Sequence, residues 1–300
     1  MFDVKKVASI LVLLILSLTL VVAGGQTEAQ ADYTIEVSDY TWNHARITVS
    51  VFPQENESWW DPSYLCAALH GIAQWNDAVQ GFASNYTEFS YISEILFVPS
   101  ITHEMVEGLD VYMSWAASCE GNESTIGLTE NIIVSPCTVV NSTICLATQG
   151  PDGHVMTEAD MQNIVVHELG HVLALYHSNY PDDVMYPSVV YGEDVRPISS
   201  LDLYAVSQSF KWLSSTSPHS NRCPQKGTLT LPSNISYVYF QVAAENLPSV
   251  PAPQRFLDYL SELLLRPEVL AIFFAVVLLV VAVVVFSRRK KPRENLDSVS

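Results

Sequence analysis

Positive charge is scarce in this sequence. Of 300 residues only 14 are Lys or Arg, against 32 Asp or Glu. Seven of the 14 sit at the two ends: Lys5, Lys6 and five between Arg288 and Arg293. The other seven share the interval 32–268 with 28 acids. A body this acidic repels a phosphate backbone, which argues against nucleic-acid binding. The acid fits solubility or an unusual ionic habitat and says nothing about fold. Internal repeats and low-complexity tracts are also absent, leaving no basis for a repeat architecture.

Charge of either sign is missing from two long runs. The first, "VASILVLLILSLTLVV" at 7–22, follows Lys5-Lys6 and precedes small residues at Ala23-Gly24-Gly25 and Ala29-Gln30-Ala31. A basic start, an apolar run and small residues read as a secretory signal over 1–31, with an N-terminal anchor as the alternative. Both carry the following chain across a membrane. The second run, "VLAIFFAVVLLVVAVVVF" at 269–286, is long enough to span about 30 Å of hydrocarbon as a helix. "RRKK" follows at once, and such residues stay cytoplasmic. The expectation is a single-pass protein of the cell membrane, with its body outside and the 287–300 tail inside.

Five cysteines, Cys66, Cys119, Cys137, Cys145 and Cys223, fall in the exported part, where disulfides are permitted. Cys137 with Cys145 is one candidate for closing a short loop, and the odd count leaves one thiol over. Asn-X-Ser/Thr acceptors at Asn56, Asn85, Asn122, Asn141 and Asn234 also fit an exported, glycosylated surface.

Within the body, Ile47, Val49 and Val51 of "RITVSVF" alternate as in a strand. Asp61-Pro62 opens a helix whose apolar residues are Leu65, Leu69, Ile72, Trp75 and Val79. "ISEILFV", "DVYMSWA", "TIGLTENIIV" and "VVNSTICLA" read as further strands. Thr157 with Asp160, and Ser199 with Asp202, form capping-box patterns for two more helices. The order of strand, helix, several strands, helix, irregular loop and helix predicts one α/β (α+β) domain over 32–215. Residues 216–268 are expected to form a stalk, with a small hairpin in "TLTLPSNISYVYFQV" and an amphipathic juxtamembrane helix in "RFLDYLSELLLRP".

The chemistry lies in "HELGHVLALYHSNYPDDVMYP", 167–187. His167 and His171, four apart on a helix with apolar Ile164, Val165, Leu169, Val172 and Leu173, project from one side. Two such imidazoles can hold a zinc ion, and Glu168 can reach a water bound to it. A sharp turn near Ala174 would return His177 as a third ligand. Three protein ligands leave a fourth position open, the catalytic rather than the structural arrangement. His44, His70, His103, His154 and His219 show no ligand spacing and read as surface or core residues.

The stretch resembles the metzincin peptidases, whose pattern is HExxHxxGxxH followed by a methionine turn. Ser178 after the third histidine, with Met-Tyr-Pro at 185–187, is most similar to the matrixin branch. The resemblance implies a metzincin-like catalytic domain with a mixed twisted sheet and an active-site helix. His167, His171 and His177 would hold one catalytic zinc, with Glu168 the general base and Met185 the floor beneath the metal. Ala174 stands where that pattern has glycine, and no cysteine-switch motif precedes the domain. The implied activity is a zinc endopeptidase that attacks protein or peptide substrates through a zinc-bound water. Such a substrate would pair with the edge strand in "TIGLTENII", and "SVVYGEDV" would shape a pocket. Calcium in the acidic loop (Asp182, Asp183, Glu193, Asp194) lacks a ligand pattern, and a solvated loop is the expectation. The competing class is a catalytically silent surface module that keeps zinc for binding or adhesion, marked only by Ala174.

Overall fold

The computed structural model describes residues 32–103, 106, 108–119, 125–215 and 223–240. The expected signal, the spanning run at 269–286 and the juxtamembrane helix lie outside the described residues. Among the described residues, no helix is long and apolar enough to cross a membrane.

Strands β1 (Thr34–Val37), β2 (Thr41–Trp42) and β3 (Arg46–Phe52) lead into helix α1 (Pro62–Asn85). Strands β4 (Leu96–Ile101), β5 (Val111–Ala116), β6 (Gly127–Val134) and β7 (Thr138–Ala147) follow, then helix α2 (Glu158–Val172). The rest comprises β8 (Leu175–Ser178), β9 (Ile198–Ser199), α3 (Ser200–Ser209), β10 (Gly227–Thr230) and β11 (Tyr239–Phe240). In the main sheet β4, β3, β5 and β7 run parallel in that order, and β2 joins the start of β7. β6 closes one side antiparallel to β7. This is the mixed α/β class the sequence implies.

Local chemistry explains the helix starts. Asp61 caps α1 by accepting from the Ser63 backbone N–H at 2.8 Å, with Pro62 in the first turn. Thr157 and Ser199 form reciprocal capping boxes with Asp160 and Asp202. The buried face of α1 is rotated from the expected stripe, because Leu65 and Leu69 are only half-buried. Tyr64, Ala67, Ala68 and Gly71 join Ile72, Trp75 and Val79 instead. Small side chains bring α1 close to α2, and Trp75 Nε1 donates to Val166 O at 2.8 Å. That bond holds α2 from behind, one residue before His167.

Three further expectations need correcting. The segment after α2 opens with strand β8, which pairs with β1, and the expected irregular loop follows at 179–197. Part of the expected stalk is packed into the domain. β10 adds to β1 and β11 to β9, so no hairpin forms between them. The open edges of β1 and β9 offer backbone partners that a two-stranded hairpin alone would lack. Finally, Cys137 does not join Cys145. Those residues lie at the start and on the far part of β7, and eight extended residues span about 26 Å. The disulfides are Cys119–Cys145 and Cys137–Cys223, and Cys66 stands outside both.

Candidate metal centre

α2 carries a polar series on a buried helix. His167 and Glu168 are buried, whereas His171 is half-buried. The helix ends at Val172, and Leu173 caps it by donating to the carbonyls of His171 and Leu169. Ala174 then takes φ 69°, the only left-handed non-glycine residue among those described. Its carbonyl accepts from Ser38 N–H at 3.0 Å, tying the turn to the chain after β1. The reversal sends β8 back along the cleft and carries exposed His177 to the other two histidines.

One ring nitrogen from each of His167, His171 and His177 lies within 4.8 Å of the others. Among the described residues this is the single cluster of at least three such groups placed to share an ion. His167 Nδ1 meets Val184 O at 2.8 Å, and His171 Nδ1 meets Leu175 O at 2.8 Å. A carbonyl only accepts, so each Nδ1 carries the proton and each Nε2 keeps its lone pair. That is the tautomer a metal ligand needs. Burial, with help from His171, lowers His167 to about 3; burial lowers His171 and His177 as well. All three rings are therefore neutral at physiological pH. Three neutral imidazoles with an open side fit a catalytic zinc ion.

Glu168 enters the same cleft. Burial raises its carboxyl to about 7, opposed by a bond from the Thr129 hydroxyl. Met185 is fully buried, and its sulfur fills the space beside Gly170, where a Cβ would stand 2.3 Å away. Glycine at 170 leaves room for the Met185 side chain against the helix between His167 and His171. Asp183 Oδ1 fixes that turn by accepting from Met185 N–H at 2.9 Å.

The cleft has a volume of about 620 Å³. β6 lines it with Gly127, Leu128, Thr129 and Asn131, and the turn after Met185 with Tyr186, Ser188, Val189 and Tyr191. Spacing alone does not single out Thr129, Asn131, Tyr40 or Tyr176 as cleft residues. Their positions follow from strand register and from β8 returning beside β1. The acidic loop is also not uniformly solvated. Asp183 is fully buried and accepts from Ser199 Oγ at 2.7 Å and Tyr237 Oη at 3.0 Å. Glu193 pairs with Arg196 at 2.9 Å. Among the other histidines, His44, His70 and His154 face the carboxylates of Asp110, Glu158 and Asp160.

A parallel-sheet domain with a long cleft, three convergent imidazoles, an adjacent buried glutamate and a methionine turn defines the class of zinc metallopeptidases. More narrowly, the chain belongs to the matrixin family, whose profile matches residues 41–211. It is also 31% identical over 80 residues to Metalloendoproteinase 2-MMP of Arabidopsis thaliana. That match covers 25% of this chain and 21% of the plant protein, so the chain spans about a fifth of that curated relative's length.

Proposed function

We propose that this chain is a membrane-anchored extracellular zinc endopeptidase in which Glu168 is the general base. The observation that carries the reading is the meeting of one ring nitrogen from each of three histidines, Nε2 for His167 and His171, with the Glu168 carboxyl in one cleft beside an open strand edge. His167, His171 and His177 would hold the ion. When bound, zinc supplies a Lewis acid that polarises the scissile carbonyl and acidifies water. Glu168 takes the proton of the attacking water on a carboxylate oxygen and passes it to the leaving amine. β6 pairs only with β7 among the described residues, so its outer edge can take an extended peptide as an added strand. Tyr191 and Val189 then wall the space beyond the cut. The reading of an outside body and an inside tail is supported by the uncharged run at 269–286 and the RRKK that follows it.

The test separates holding metal from using it. Glu168→Ala should retain about one zinc per chain, as wild type should. It should lose cleavage of an unfolded protein by at least roughly 10²–10⁴-fold. His171→Ala should lose zinc and activity together, as wild type should on addition of chelator. Undiminished cleavage by Glu168→Ala would refute the mechanism. A zinc-loaded wild type that cleaves nothing would instead point to a silent binding module.

A further inference from the structure

The Glu168 carboxylate is held from the strand side of the cleft, by two residues of β6. Oε2 accepts from Thr129 Oγ1 at 2.6 Å. Oε1 fills the space beside Gly127, where a Cβ would stand only 2.3 Å from it. Residues 127 and 129 are two apart on one strand, so they present the same face to α2. One position supplies a donor and the other supplies room.

We propose that Thr129 is a positioning residue that fixes the orientation of the Glu168 carboxylate for proton transfer. The inference rests on the reading of Glu168 as general base. A glutamate side chain has three rotatable bonds, and burial alone does not choose among its rotamers. A short bond does choose, because breaking it would leave a buried carboxyl oxygen without its donor. The donor is itself rigid. Threonine is stiff at χ1, and β6 is laddered to β7 from Gly127 to Val134. Next to Thr129, Leu128 lies opposite Cys145, which the bond to Cys119 anchors. The strand that offers its outer edge to substrate therefore also aims the base, so peptide and carboxylate share one frame.

The competing account is a staple, since the same hydroxyl lies 3.1 Å from the Glu168 backbone carbonyl and could merely join β6 to α2. The two accounts separate in the full-length, zinc-loaded protein. Thr129→Val keeps the shape and removes the hydroxyl; Thr129→Ser keeps the hydroxyl. For Thr129→Val we expect unchanged zinc content and KM with kcat lower by roughly tenfold or more, the scale of a misplaced catalytic group. Thr129→Ser should recover most of that loss. In a Glu168→Ala background, Thr129→Val should have no further effect on the residual rate, because its partner is gone. A crystal structure of Thr129→Val should show the Glu168 side chain in more than one rotamer. Should Thr129→Val fold poorly, Thr129→Ala serves the same comparisons.

Wild-type kcat in Thr129→Val, beside an inactive Glu168→Ala, would overturn this inference alone. So would an equal further loss in the Glu168→Ala background, or a Thr129→Ser no better than valine. Full activity in Glu168→Ala would overturn the general-base reading and this inference with it.

Discussion

Asp160 is a fully buried carboxylate with donors on several sides, and it ties the start of α2 to the loop that walls the cleft. It accepts from Thr157 N–H at 3.0 Å and Thr157 Oγ1 at 2.7 Å, closing the capping box. It also bonds His154 Nε2 at 3.0 Å and Gly192 N–H at 2.8 Å. Burial alone would raise this carboxyl, but His154, Gly192 and Thr157 together hold it at about 2. A depressed carboxylate pKa stabilises the fold above the unfolded value near 4, and that stability is lost as pH falls toward 2. Its scale is ~2 kcal/mol. Acid titration of the chelated protein should therefore show stability falling between about pH 4 and 2, and Asp160→Asn should flatten that limb. An equally steep limb in the variant would mean other carboxylates carry the acid sensitivity. The capping box is visible in the spacing of Thr157 and Asp160. The bond to Gly192, thirty-two residues on, is not.

At the scale of elements, the turn between α2 and β8 decides whether a third histidine reaches the site. Leu173 ends the helix, Ala174 adopts φ 69° and Leu175 starts a strand. An L-residue with a Cβ in that conformation is strained by about 1 kcal/mol, which glycine would relieve. Glycine also loosens the unfolded chain by about 0.4–1 kcal/mol, so the two effects nearly offset. Ala174→Gly should thus retain zinc and leave stability unchanged or higher by up to about 0.6 kcal/mol in urea melts. A clear loss would show that the left-handed backbone is not strained there. The need for a sharp turn near Ala174 is legible from the spacing of His171 and His177. The strand that follows is not, because β8 exists by pairing with β1, some 140 residues earlier.

For the whole molecule, the two uncharged runs and the flanking cations set the expected topology. Protease added to intact cells should remove the body and leave the basic tail protected. Survival of the body in cells whose surface proteins are digested would sink the outside-body reading. The described body is also closed covalently. Cys137–Cys223 ties the start of β7 to the segment carrying β10, a separation of 86 residues. That segment has the polar, proline- and serine-containing composition of a stalk. It belongs to the domain because β1 and β9 have open edges and Cys137 is within reach.

The residue types and intervals of 157–187 suffice to propose the helix, its cap, the three candidate ligands, the base and the methionine beneath them. All of these depend on local geometry, four residues per helical face and one tight turn. The contacts that fix the base and the helix start from across the fold come from distant parts of the chain. Thr129 reaches Glu168 through strand register, and Gly192 reaches Asp160 through loop packing. Asp202 is pushed well above the usual carboxylate range by burial and then by the neighbouring Asp183. Sequence spacing encodes what lies within a turn or two of helix. Contacts across a sheet or between loops depend on which of many possible edges and faces meet, and only the assembled core selects among them.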